Sequence, residues 1–426
     1  MAHPALWAYR FLLASSLPVA APLLLLQARR RGRHWPPIAQ RLGYRLPEVA
    51  PGGVWVQAVS VGEVAVARPL LAELRRRFPG VPTMLSSTTS TGLQVATGQH
   101  LADAVVPFPI DLPGPVRRAL DRARPRLVVL VETELWPELL AACRLRSTPV
   151  VLANARVSDR SFEGYRAIRR LLRPLLDPVT LVLAQSERDA ERLAIMGVVA
   201  ERIRVVGNVK FDAAPAGPEP AVLAQIRALS QDRPVWVAGS TAEGEEAAVI
   251  AAARALESRP APFLVLAPRH PERAGAVLDL TSAHDLRAIR RSRLGEPTGP
   301  LDAVVLDTIG ELAAIYQLGA LAFVGGSLVP VGGHNPIEPA RFGVPVLTGP
   351  HVRNFSAVYE EFVAAGAARV VRDGAELEAA AAAWLADPPG ARVAGEAGRA
   401  LLARHAGATA RTIDALEPFL VGVTRA

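Results

Sequence analysis

A chain of 426 residues is too long for one ordinary hydrophobic core and implies two lobes of similar size. Half of its residues are apolar, Gly and Pro are spread without a fixed repeat, and a lone cysteine, Cys143, excludes a disulfide framework or a cysteine-rich zinc site, so the chain reads as a globular protein of a reducing compartment. The formal charge of +8 sits mostly on Arg, with no helix-turn-helix, RNA-binding strand signature or zinc finger beside it, which argues against nucleic acid and for anionic lipid or an acidic substrate.

The first element decides the location. Leu6 to Leu26 is largely apolar and long enough to cross a hydrocarbon core as a helix, with Arg10 near its start and Pro18 and Pro22 expected to kink it. Arg29, Arg30, Arg31 and Arg33 follow at once. By the positive-inside rule this cluster stays in the cytoplasm, so residues 1–33 are expected to form a membrane anchor with a basic flank, and everything after it is cytoplasmic. A cleaved signal peptide would carry its charge before the apolar run.

From Val54 onward, short β-branched runs alternate with longer amphipathic stretches. Val54–Val59 precedes Val64–Phe78, and Pro82–Ser86 precedes Thr91–Ala102. Further runs follow at Leu127–Val131, Val150–Ala153, Leu181–Gln185 and Ile203–Val206. This is the rhythm of a parallel sheet with helices on both faces. Residues 213–220, AAPAGPEP, break it and read as a linker. It restarts at Val235–Ala238 and continues through Phe263–Ala267, Ala303–Leu306, Ala320–Val324 and Val344–Leu347. The expected architecture is α/β: two doubly wound Rossmann-like domains, 34–212 and 221–426, behind the N-terminal membrane-anchor helix, with the last helix able to pack back on the first domain. Ligands of such sheets lie at the carboxyl ends of the strands.

The chemistry-bearing residues fall at those ends. Ser60-Val61-Gly62-Glu63 follows the first strand, and Glu63 reads either as a base for a sugar hydroxyl or as a helix-start carboxylate that complements the dipole. Ser86 to Gly92, with Thr89 and Thr91, offers hydroxyls and backbone donors at a helix start. Glu132-Thr133-Glu134-Leu135-Trp136 sets two carboxylates and an aromatic ring at one strand mouth, a combination suited to a polyol. Arg156 follows another strand, and Lys210 in Gly207–Asp212 can neutralise a phosphate or carboxylate. In the second half, Gly239-Ser240-Thr241 joins a strand to a helix, and Pro268-Arg269-His270 offers a cation and a hydrogen-bond donor. Gly325-Gly326-Ser327 and Gly333-His334-Asn335, followed by Glu338, combine close backbone approach, a helix start facing phosphate and a carboxylate for ribose hydroxyls. His334 and Glu338 have no further ligands at metal-binding spacing.

The ordered series SVGE, TTSTG, ETELWP, GNVKFD, AGST, PRHPER, GGSLVPVGGHNPIEP and LTGPHVRNF resembles the bacterial Kdo (3-deoxy-D-manno-octulosonic acid) transferases, which are GT-B glycosyltransferases. The resemblance spans nearly the whole chain. It implies inverting, metal-independent transfer of Kdo from CMP-Kdo to a lipid A precursor (lipid IVA) at the cytoplasmic face of the inner membrane, with no cofactor beyond the donor itself. In that scheme Glu63 is the base, Arg269 and Lys210 counter the departing phosphate, and the second lobe holds the nucleotide through the residues named above. Ser60, Gly62, Thr89, Thr91, Gly92, Glu132, Glu134, Trp136 and Arg156 face the acceptor. Gln57 and Ala242 stand where the family commonly has His. Two other readings share the double lobe: a nucleotide-sugar 2-epimerase, and a non-catalytic nucleotide-sugar binding protein at the membrane.

Overall fold

The computed structural model describes residues 4–16, 38–212, 220–256, 261–295 and 299–421. Two compact units emerge: residues 1–213 with 405–426, and residues 214–404.

The first unit is built on seven parallel strands, β1 (Val54–Gln57), β2 (Thr83–Ser87), β3 (Ala104–Pro107), β4 (Leu127–Val131), β5 (Val150–Ala155), β6 (Leu181–Ala184) and β7 (Ile203–Val205), in the order β3-β2-β1-β4-β5-β6-β7. Successive strand residues serve opposite faces, and both faces are covered by helices. Val54 and Val56 join one apolar cluster with Val129, Val151 and Leu70, whereas Trp55 joins the other with Leu130, Leu152 and Leu140. That double burial is why the strands read as continuous apolar runs. Cys143 lies in the second cluster, where burial pushes its thiol up to about 12.

The second unit repeats the plan with β8 (Val235–Thr241), β9 (Phe263–Pro268), β10 (Ala288–Arg290), β11 (Ala303–Val305), β12 (Gly319–Val324), β13 (Val346–Thr348) and β14 (Ala368–Val370), all parallel, in the order β10-β11-β9-β8-β12-β13-β14. Strands β3, β10 and β14 were not expected from the sequence. Each lies at a sheet edge and has three or four residues, with an exposed or half-exposed position interrupting its apolar pattern.

The last helix, Ala408–Leu420, packs in the first unit. Asp212 accepts the N–H groups of Gly407 and Thr409 at 2.8 and 2.6 Å, and Ile413 and Leu416 enter the first apolar cluster. The linker expected over 213–220 lies, up to 219, outside the described residues, and Pro220 already opens the helix Pro220–Ser230.

The expected anchor falls only in part on the described residues. Residues 17–33 of it lie outside the described residues, and among the described residues no helix is long and apolar enough to cross a membrane. Residues 4–16 are helical and belong to the first unit. Leu6 is buried, the Tyr9 hydroxyl donates to Asp111 at 2.8 Å, and the Arg10 guanidinium grips Glu138 through two bonds of 2.7 and 2.9 Å. Helix 4–16 thus packs on the first unit, where Arg10 supplies the cation that the buried Glu138 carboxylate needs.

Candidate active site

In the first unit the expected residues collect at the carboxyl ends of β1, β2, β4, β5 and β7. The chain leaves β1, turns at Ser60 and enters the helix Val61–Arg77, whose third residue is Glu63. Glu63 is only 7% exposed. Its carboxylate accepts the Val59 N–H at 2.6 Å and the Ser60 hydroxyl at 3.4 Å. Burial pushes its pKa up to about 8; the Val59 bond opposes this, and the charges of Glu134 and Glu132 add to it. A carboxylate so held can both take and release a proton near neutrality.

The loop after β2 is tied to this one, because the Val59 carbonyl accepts the Ser87 hydroxyl at 3.0 Å and the Thr89 N–H at 3.1 Å. Thr89 caps the helix Ser90–Gly98 by accepting the Gly92 N–H, and a side chain at Gly92 would collide with the Ser87 hydroxyl. Thr89 and Gly92 thus shape the loop, while Ser60, Gly62 and Thr91 stay partly or fully accessible.

At the end of β4, Glu132 has φ 60°, and beside it in β5 Asn154 has φ 55°. Non-glycine residues adopt this region only where neighbours hold them. Here Lys210 Nζ donates to Glu132 at 2.8 Å, Asn154 Oδ1 accepts the Val209 N–H at 2.9 Å, and Asn208 Oδ1 accepts the Lys210 N–H at 3.0 Å. Lys210, expected to counter a leaving phosphate, is paired here with Glu132. Burial, with the charge of Glu132, raises the pKa of Glu134. Arg156 is half-buried and has no acidic partner among the described residues. Trp136, expected as a stacking ring for a sugar, packs against Phe108 with ring centroids 4.4 Å apart, although its buried indole N–H finds no acceptor among the described residues. Gln57, fully buried, donates to the Thr88 hydroxyl at 3.3 Å and accepts from the Ser86 hydroxyl.

In the second unit a cavity of about 260 Å³ is lined by Ser240, Pro268, Arg269 and Glu338 from the expected set, and by Thr308 and Ile309. Ser240 takes φ 53° at the end of β8. Glu338 receives a 3.3 Å bond from Asn335 Nδ2, and burial raises its pKa. The His334 ring is pushed down to about 4 by burial and by the charges of Arg269 and His270, so it is neutral, and its buried Nε2 has no partner among the described residues.

Several residues of the expected nucleotide loops have partners within the second unit. The N–H groups of Gly326, Ser327 and Leu328 all donate to the buried Glu245 carboxylate at 2.6 to 2.8 Å, so the Gly325-Gly326-Ser327 turn is not an open phosphate cradle. Gly325 instead allows close packing on Thr241, and Gly239 lies against the Tyr316 hydroxyl. Thr241 is fully buried and donates to Glu246, which also binds Arg273. The helix after Asn335 is a single turn, Ile337–Ala340, with little macrodipole, and Asn335 spends its side chain on Ile337 and Glu338. Gly333, at φ 72°, lies against Val352. The loop Thr308–Leu312 after β11 was overlooked because it carries neither paired glycines nor a net cation.

Two doubly wound parallel units, with a buried carboxylate at the carboxyl ends of the strands of one and a pocket at the carboxyl ends of the strands of the other, have the architecture of the GT-B type. The fold is similar to that of UDP-GlcNAc 2-epimerase from Neisseria meningitidis bound to UDP-GlcNAc, with a TM-score of 0.54 at 14% identity, covering 86% of this chain and 100% of that one. Residues 36–213 match the family described as 3-deoxy-D-manno-octulosonic-acid transferase (kdotransferase). Over 423 residues the chain is 35% identical to a 3-deoxy-D-manno-octulosonic acid transferase of Haemophilus influenzae, covering 97% of this chain and 99% of that protein. The corresponding transferase of Bordetella pertussis is 39% identical over 426 residues, with 94% and 97% covered. The chain belongs to the 3-deoxy-D-manno-octulosonic acid transferase family.

Proposed function

We propose that this glycosyltransferase moves Kdo from CMP-Kdo to a hydroxyl of the lipid A precursor lipid IVA, with inversion and without a metal, at the cytoplasmic face of the inner membrane. The observation that carries the reading is Glu63: a carboxylate buried at a strand end, held near pKa 8, with the charges of Glu134 and Glu132 acting on it. In a single displacement Glu63 takes the proton of the acceptor hydroxyl as its oxygen bonds to the anomeric carbon and the bond to the CMP phosphate breaks. The phosphate needs charge neutralisation more than a proton, and Arg269 in the pocket of the second unit supplies it. Glu338 suits the ribose hydroxyls, and His334, being neutral, can donate or accept without repelling Arg269.

Membrane attachment is supported by the outer face of helix 4–16. Leu6, Tyr9 and Arg10 turn inward, whereas Trp7, Phe11 and Leu12 are 61%, 72% and 67% exposed. Large apolar side chains on the outside of a docked helix suit a bilayer surface, and the Arg run that follows at 29–33 suits anionic headgroups.

Incubation with radiolabelled CMP-Kdo and lipid IVA, with mass spectrometry of the lipid, tests the reading. The expected product carries added Kdo. Epimerised nucleotide sugar, or binding without turnover, would replace it by one of the other two readings.

A further inference from the structure

The helix 4–16 reaches the acceptor loop through a chain of bonds that membrane attachment does not require. Asp111, on the loop that follows β3, is 2% exposed and accepts the N–H groups of Glu138 and Leu139 at 3.0 and 2.9 Å. These are the second and third residues of the helix Pro137–Leu145. Their N–H groups have no partner within the helix, so Asp111 holds the first turn in place. The Tyr9 hydroxyl binds the same carboxylate, and Arg10 grips Glu138, whose side chain is 5% exposed. The residue just ahead of this turn is Trp136, the last of the loop that carries Glu132 and Glu134. Phe108, three residues before Asp111, is the ring against which Trp136 packs.

We propose that helix 4–16 is a latch that positions the Glu132–Trp136 loop for the acceptor, with Tyr9 and Arg10 as its positioning residues. The proposal rests on the reading of that loop as acceptor-binding. A buried Glu138 without Arg10 must find another cation, shed its charge or reach water, and each of these displaces the first helical turn and the loop joined to it. Displacing a binding group by a fraction of a bond length weakens substrate contacts while leaving the sheet intact.

Kinetics of the full chain with detergent-dispersed acceptor separate positioning from membrane attachment. In Arg10→Ala the KM for the acceptor is expected to rise about tenfold or more, with the KM for CMP-Kdo within about twofold of wild type. Tyr9→Phe should give a smaller rise of the same kind, and Arg10→Lys should restore part of the loss by returning a charge without the paired geometry. The double variant Arg10→Ala with Glu138→Gln should bind the acceptor better than Arg10→Ala alone, because no buried charge is left unpaired. Unchanged acceptor KM in Arg10→Ala, or parallel changes for both substrates, would overturn the latch. A double variant no better than Arg10→Ala would do the same. Amide exchange over residues 132–139 supplies an arm independent of substrate: it should quicken in Arg10→Ala and Tyr9→Phe while β8 and β9 stay protected, and unchanged exchange overturns the latch. Absence of Kdo transfer by the wild-type enzyme, with quickened exchange in the variants, would overturn the functional reading and leave the mechanical one standing.

Discussion

Both units place a glutamate in the first turn of the helix that follows the first strand of the sheet, yet the two carboxylates have opposite fates. Glu245 accepts four backbone N–H groups, from Ala242, Gly326, Ser327 and Leu328, and staples the turn after β12 to the end of β8. Glu63 has one backbone donor, one long bond to a hydroxyl and two carboxylates nearby. The number of donors turned toward the group, rather than its position, separates a carboxylate that staples two turns from the one proposed here as a base.

The sharpest way to break this comparison is to remove the proton-accepting capacity of one member and leave its shape. Glu63→Gln is expected to lower kcat on the order of a hundredfold or more, as lost general-base catalysis does, with CMP affinity and thermal midpoint close to wild type. Steady-state assays that retain more than about a tenth of the rate would remove Glu63 from its role. Glu245→Ala probes the other member. It orphans buried N–H groups, and chemical denaturation is expected to show a loss of about 3 kcal/mol or more, with CMP binding lost as the second unit loosens. A loss below about 1 kcal/mol would show that water replaces the carboxylate, and that the staple is dispensable.

A smaller effect is expected where a carboxylate meets ligand rather than backbone. Glu338→Ala should weaken CMP by roughly 1–3 kcal/mol, read by calorimetry, while leaving kcat at saturating donor nearly unchanged. Equal affinity would place the ribose elsewhere. The pH profile sharpens the comparison further. The base works only when ionised and burial holds its proton up to about 8, so kcat/KM should rise with pH through that region. Glu134→Gln removes one neighbouring negative charge, lowers the pKa of Glu63 and should shift the rising limb toward lower pH. His334, held down near 4, contributes no limb above about pH 5. A limb that does not move in Glu134→Gln would mean that another group titrates. Last, EDTA is expected to change nothing; inhibition restored by one divalent ion would overturn the metal-free mechanism.

The motifs at strand ends were legible as places, and less so as roles. Ser240, Pro268, Arg269 and Glu338 do line one cavity, and Glu63, Glu132 and Glu134 do share one electrostatic neighbourhood. Lys210, Trp136 and the Gly325–Ser327 turn were read as ligand contacts because their residue types bind anions and sugars in general. Their actual partners, Glu132, Phe108 and Glu245, lie 78, 28 and 81 or so residues away in sequence, and local pattern carries no trace of them. Thr308–Leu312 escaped for the converse reason: a loop of ordinary residues becomes a pocket wall only by lying beside β9.

The strand runs and their spacing, by themselves, determined two doubly wound parallel sheets, because strands buried on both faces must be continuously apolar and parallel neighbours need long crossovers. They also determined where chemistry lies, since ligands of such sheets gather at the carboxyl ends. Only the tertiary structure decided which polar groups are spent. A carboxylate or N–H keeps its chemistry when its partners are few, and partners are counted across loops that the chain brings together from far apart. Helix 4–16 shows the same division. Its composition announced a membrane anchor, but only packing revealed that Tyr9 and Arg10 hold the carboxylates of Asp111 and Glu138, buried groups that cannot be left without a donor.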